Sequence, residues 1–152
     1  MLEDELPEVR MFVIADHAVM APDGKMYLNG AGIDQVLLPA TPGHLPAPLY
    51  IAVRIRVPWH LTSESLRLRI RALDADRQPF GPDPLIDGQV EVGRAPGARA
   101  GDEMAVNLAV GIAGLPVPGP GTIHFHLELA DHTLGILPLK INVRPPTAVP
   151  GA

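Results

Sequence analysis

Two histidines and a glutamate alternate along one stretch of the sequence, at His124, His126 and Glu128. Alternate residues of a β-strand share a face, so a strand here would place the three side chains in one row. Imidazole and carboxylate groups bind zinc and iron, which makes the row a candidate metal site. The simpler interpretation is a polar outer face, because a metal site also needs a further ligand and hydrogen bonds that orient the imidazoles.

Arginine is concentrated on two other stretches that also alternate. Five of the twelve basic residues lie there, and we expect them on one face of a hairpin: Arg54, Arg56, Arg67, Arg69 and Arg71. Guanidinium groups at this spacing need counter-charges, which an anionic ligand or an acidic partner would supply. Carboxylates on neighbouring strands, such as Glu91 and Glu128, would supply them equally well, and ordinary cross-strand ion pairing explains the pattern.

One loop-like stretch contains four aspartates: Asp74, Asp76, Asp83 and Asp87. Clustered aspartates can hold calcium, but Arg77 and Gln78 stand where a calcium loop needs a ligand and a glycine. The sequence also lacks a nucleophile elbow, a phosphate-binding glycine loop and the helix motif of zinc peptidases. These absences favour a protein without catalysis over an enzyme, and we assign no catalytic residue.

The segments that carry these side chains are predicted to be strands. Apolar residues recur at every second position, 18 prolines and 15 glycines punctuate the chain, and no long segment has a helical period. This predicts about eight strands. Two sheets packed face to face would bury the inward rows, so we expect an antiparallel β-sandwich. Its bounds are residues 9–143, between an acidic flexible N-terminus at 1–8 and a proline-rich tail at 144–152.

Two resemblances refine the expected fold. Residues 121–127 resemble the late strand of immunoglobulin-like domains. Most of the chain is also similar to an uncharacterised actinobacterial family of small cytosolic proteins, through residues 16–18, 23–27, 57–59, 73–76, 92–94 and 118–121. This resemblance implies a β-sandwich and brings no activity, substrate or site residue with it.

Charge and hydropathy limit the classes of partner and the location that we expect for the chain. The net charge of −5 comes mainly from the acidic residues before position 9, so the body of the chain is close to neutral. A nucleic-acid partner calls for a basic excess and is not expected. No apolar run is long enough to span a membrane, and the acidic start lacks the positive charge of a secretory signal, so we expect a cytoplasmic location.

Residues 104–112 favour association with a protein partner or a second copy. One face of this predicted strand is apolar, and the other consists of Ala105, Asn107, Ala109 and Gly111. β-Sheet proteins that stay monomeric usually place charged residues on the exposed faces and edges of their sheets, and this strand has no charged residue. We expect a binding or assembly module without catalysis, although coverage of the small face by residues 115–121 would leave no surface for a partner there. The alternative is a small metal-dependent enzyme or ligand-binding protein that uses His124 and His126.

Overall fold

A computed structural model describes residues 5–145 of the chain. Its strands are β1 (Glu8–Met20), β2 (Met26–Ala31), β3 (Gln35–Leu38), β4 (Gly43–His44), β5 (Tyr50–Val57), β6 (Ser65–Leu73), β7 (Ile86–Glu91), β8 (Met104–Gly111), β9 (Pro116–Val117), β10 (Gly121–Leu129) and β11 (His132–Val143). The helical content of this part of the chain is one 3-10 turn, Trp59–Leu61. The predicted all-β class is confirmed, while the number of strands is eleven rather than about eight.

The strands form two large sheets and one small one. A four-stranded antiparallel sheet has the order β2-β1-β5-β8, and a five-stranded sheet has the order β3-β11-β10-β6-β7. β4 and β9 pair with each other. In the five-stranded sheet β3 runs parallel to β11, so the prediction of purely antiparallel pairing is wrong at that edge.

Both large sheets contribute to one hydrophobic core. Its buried members include Ile51, Val53 and Ile55 from β5 together with Ile70 from β6 and Phe125 from β10. The sheets also meet along one side, where β1 contacts β11. A Cβ on Gly135 would lie 3.5 Å from a ring carbon of Phe12, so this glycine lets the two strands approach closely. The result is a half-barrel arrangement.

The predicted hairpin between residues 49–57 and 66–72 is wrong. β5 pairs with β1 and β8, whereas β6 pairs with β7 and β10 in the other sheet. The connection between them contains Pro58 and the 3-10 turn, in which Thr62 N donates to Trp59 O at 3.1 Å. A link of this length carries the chain from one sheet to the other instead of reversing it within one sheet.

Two proline-containing segments pair in ways that their prolines do not predict. The prolines of residues 115–121 predict a surface crossing, but Leu115 and Val117 are buried in the core and β9 pairs with β4. Pro138 predicts an edge position for the last strand, which is wrong for Lys140–Val143 because they pair with β3. At Pro138, however, β11 pairs with β10 alone, so the missing N–H removes no bond to β3.

Candidate functional site

Three of the predicted site arginines lie on the outer face of the five-stranded sheet. Arg67, Arg69 and Arg71 alternate along β6. The register places Arg69 between Asp87 of β7 and Glu128 of β10. The arginine row therefore lies between carboxylates on both sides.

The two arginines at the ends of this row form bidentate ion pairs with aspartates. Arg67 donates from Nε and Nη2 to Asp87 at 3.0 and 2.9 Å, and Arg71 donates to Asp83 at 2.9 and 2.9 Å. These hydrogen bonds lower the pKa of both aspartates below the usual range and raise the pKa of both arginines. Two of the four aspartates considered for calcium are thus bonded to guanidinium groups.

Another of those aspartates closes a turn. Asp74 Oδ1 accepts hydrogen bonds from the backbone N–H groups of Asp76 and Gln78, each at 2.8 Å. An aspartate that bonds its own following backbone is a common turn former. The local geometry of this loop is therefore explained without an ion.

The central arginine contacts a nearly buried carboxylate. Arg69 Nη2 lies 2.8 Å from Glu128 Oε2, and Arg71 Nη1 lies 3.9 Å from Glu128 Oε1. The side chain of Glu128 is 11% exposed. The short contact is an ion pair without the geometry of a hydrogen bond. Glu128 Oε2 is therefore buried without a hydrogen-bond donor among the described residues.

The two histidines of the predicted metal row are adjacent to the arginines. His126 is buried and lies opposite Arg71, while His124 is half-buried and its Nδ1 has no hydrogen-bond partner within residues 5–145. Burial, followed by the positive charge of Arg77, lowers the pKa of His126. In this part of the chain no three His, Asp or Glu side chains are arranged to hold a metal ion. Zinc or iron binding by this row stays an untested alternative to a site without a cofactor.

The other two predicted arginines belong to the four-stranded sheet. Arg54 Nη1 donates to Asn107 Oδ1 at 2.9 Å, and Asn107 Nδ2 donates to the carbonyl of Gly24 at 3.2 Å. The turn between β1 and β2 thus reaches the small-residue face of β8. The ring of Tyr50 lies beside Gly111 on the same face. This face is therefore partly covered by the β1–β2 hairpin and Tyr50.

Arg56 forms part of a cleft that the sequence did not reveal. The cleft has a volume of about 200 Å³, and besides Arg56 and Glu5 it is lined by Trp59, His60 and residues 100–102. The side chain of Arg56 is 15% exposed, and its Nη2 lies 2.9 Å from Glu5 Oε1. The available signal was the Arg-x-Pro-Trp-His order at residues 56–60, where a proline ends the strand beside the single tryptophan.

β8 is an edge strand with an unpaired side. Among the described residues its ladder partner is β5 alone. Ile112 N donates to Leu49 O, the residue opposite it, and hydrogen-bonded pairs alternate along an antiparallel ladder. The N–H groups of Ala105, Asn107 and Ala109 therefore point away from β5.

Comparison with known proteins identifies a family for this chain but no activity. No helix among the described residues could span a membrane. No curated protein and no solved structure matches the chain. A family model described as a family of unknown function matches residues 10–142, nearly the whole described region. The chain therefore belongs to that family of unknown function, DUF6941.

Proposed function

We propose that this protein is a non-catalytic assembly module that associates with a second copy of itself through the unpaired edge of β8. The observation that carries the proposal is an eight-residue strand with no charged residue that is hydrogen-bonded on one side. Such an edge is a template for another strand.

The other edge strands differ from β8 in ways that hinder pairing. β2 contains Gly30 next to its last residue, and the φ of +62° at this glycine departs from extended geometry. β3 is four residues long. β7 carries Asp87 and Glu91. Short, irregular or charged edges are the usual means of preventing edge-to-edge association, and β8 has none of these features.

A second copy is the partner that β8 fits best. Two β8 strands related by a two-fold axis would run antiparallel, and the outward N–H and C=O groups of each would bond the other. Because β8 has no charge, no like charges would oppose each other in any register. The four-stranded sheets of two copies would then join into one continuous sheet.

The polar side chains support a role without catalysis. On the five-stranded sheet, Arg67 and Arg71 are bonded to aspartates of the same chain, and Arg69 pairs with Glu128. These arginines have internal counter-charges, so the sheet does not require an anionic substrate to balance them. This favours the assembly role over the metal-dependent or ligand-binding alternative at His124 and His126.

We also propose that the two large sheets form an immunoglobulin-like sandwich, which their common core supports. The parallel pairing of β3 with β11 is a departure from a purely antiparallel sandwich. The actinobacterial origin of the family and a cytoplasmic location stay predictions.

Light scattering coupled to size exclusion tests the association. We expect a mass of twice 16.2 kDa at micromolar concentration. Ala109→Pro should give a folded monomer, because it removes an outward N–H without breaking the β5 ladder. Circular dichroism and thermal unfolding establish that the variant is folded, and Ala109→Arg is the second variant should proline disturb the strand.

Tyr27→Arg is the matched control, since it adds a charge to β2 at the opposite edge of the same sheet. It should leave the dimer intact. A mass equal to one chain at every concentration would overturn the proposal. So would a dimer that both Ala109 variants leave unchanged and Tyr27→Arg dissociates, which would place the contact on the β1–β2 hairpin.

A further inference from the structure

We propose that the cleft between Arg56 and Trp59 binds an acidic peptide segment, and that Glu5 of the same chain occupies part of this site. This second surface is separate from the unpaired edge of β8. The inference rests on the desolvated guanidinium of Arg56, the aromatic wall beside it and the carboxylate that contacts it.

Arg56 has hydrogen-bonding capacity that its neighbours do not use. Its Nε is buried and makes no hydrogen bond within residues 5–145. Glu8 Oε2 lies 3.6 Å from this nitrogen, which is beyond hydrogen-bond distance. A buried donor without an acceptor is costly, and a guanidinium binds a carboxylate best through two parallel hydrogen bonds. A carboxylate that reached Nε as well as Nη2 would satisfy both nitrogens of Arg56.

Glu5 shows what kind of group enters the cleft. Its Oε1 accepts a hydrogen bond from Arg56 Nη2 at 2.9 Å, while its own side chain is 44% exposed. Pro7 is buried and fixes the segment just before β1. A carboxylate of the same chain therefore already lines the cleft, and its partly exposed contact with Arg56 is one that a competing peptide can replace.

The neighbouring carboxylates Asp102 and Glu8 make their hydrogen bonds with other groups, although Glu8 also lies 3.6 Å from Arg56 Nε. Asp102 Oδ2 accepts the backbone N–H of Arg99 at 2.7 Å, and Glu8 Oε1 lies 3.4 Å from Arg10 Nη1. Arg10 also binds Glu103 at 3.2 Å. Arg56 is thus the cation at the cleft whose principal counter-ion is the exposed Glu5.

The aromatic wall is held in place by its own contacts. The guanidinium carbon of Arg94 lies 3.9 Å from the centre of a Trp59 ring. Arg94 also donates to Thr62 Oγ1 at 2.7 Å and to the carbonyl of Trp59 at 3.2 Å. A tryptophan held in this way offers a rigid apolar surface at low entropic cost, which suits the side chain next to a peptide carboxylate better than a small inorganic anion.

The fluorescence of Trp59, the single tryptophan of the chain, reports binding directly. The probe is a synthetic peptide with the sequence of residues 3–8, Glu-Asp-Glu-Leu-Pro-Glu, titrated into the full chain. We expect a saturable change in emission. Glu5→Gln should bind the peptide about threefold more tightly than the unmodified chain, because a partly exposed ion pair no longer competes.

Glu103→Gln is the matched control, since it removes an exposed carboxylate near the cleft that contacts Arg10 instead of Arg56. Its affinity for the peptide should equal that of the unmodified chain. Arg56→Gln should weaken binding at least about tenfold. A peptide with glutamine and asparagine in place of its acidic residues tests the same charge without altering the protein, so the result does not depend on the folding of the Arg56 variant.

Several outcomes would overturn the proposal. One is the absence of a saturable change in emission with both the unmodified chain and Glu5→Gln. Another is a neutral peptide that binds as tightly as the acidic one. A third is that the unmodified chain and Glu5→Gln bind the acidic peptide with equal affinity. Inorganic phosphate that produces the same change at the same concentration would identify a general anion site instead. Glu5→Gln should not alter the mass in light scattering, so failure of this proposal and failure of the assembly proposal are distinguishable.

Discussion

Arg71 and Asp83 form an ion pair in which Nε and Nη2 each lie 2.9 Å from a different carboxylate oxygen. The pair joins the segment between β6 and β7 to the face of the five-stranded sheet. Its side chains are 27% and 25% exposed. Arg67 and Asp87 have the same geometry at 47% and 40% exposure, so the chain contains one type of contact at two levels of solvation.

We expect Arg71→Ala to lower the free energy of unfolding by roughly 0.5–1 kcal/mol, at the upper end for partly exposed pairs. Arg67→Ala should produce no measurable change, because water screens that more exposed pair and solvates Asp87 when the arginine is lost. Urea unfolding of both variants measures the difference. A larger loss for Arg67→Ala than for Arg71→Ala would argue that solvation does not set the strength of these pairs.

Arg69→Ala should lower the free energy of unfolding more than Arg67→Ala or Arg71→Ala does. It leaves the nearly buried Glu128 with Arg71, 3.9 Å away, as its remaining cation. We expect a loss of about 1–2 kcal/mol. Glu128→Gln added to Arg69→Ala should recover most of it, since the amide carries no charge to compensate. A double-mutant cycle by urea unfolding gives the coupling, and a double variant less stable than Arg69→Ala contradicts the explanation.

The strands themselves could be predicted because alternation of apolar residues is a local signal. In β5 it correctly placed Ile51, Val53 and Ile55 in the core, as burial confirms. β4 and β9 could not be found in this way, because two residues each are too short to show a period.

Strand pairing and the site depended on information that is not local. The turn between β10 and β11 consists of Ala130 and Asp131 at φ values of +50° and +65°, where Asn-Gly is the usual signal. The Arg56 cleft depends on residues 100–102 coming beside the end of β5, and the five predicted arginines divide between two sheets because β5 and β6 do not pair.

The predicted metal row can be tested without reference to activity. We expect added zinc to leave the melting temperature of the unmodified chain unchanged, because Glu128 is paired with Arg69 and is unavailable to complete a site with His124 and His126. A protein that binds a ligand in its folded state gains stability from it. A zinc-dependent rise in melting temperature that His124→Gln with His126→Gln abolishes would instead support the metal hypothesis.

His126 should make stability dependent on pH. Burial lowers its pKa in the folded state, and the nearby charges of Arg77 and Arg71 act in the same direction, while Glu128 opposes them. Below about pH 6.5 the unfolded chain therefore binds a proton at this imidazole that the folded chain does not bind. Because the unfolded state then holds more protons, the free energy of unfolding falls as the pH is lowered from about 7 towards 5.

His126→Gln should flatten this fall in stability, since glutamine does not titrate. The exposed His132 at the start of β11 provides the control, and His132→Gln should retain the slope of the unmodified chain. Urea midpoints at closely spaced pH values between about 5 and 8 measure the three slopes, which makes the comparison independent of the constant stability change that each substitution causes. If His126→Gln keeps the full slope while His132→Gln loses it, the pH dependence belongs to the exposed imidazole and burial of His126 is not its cause.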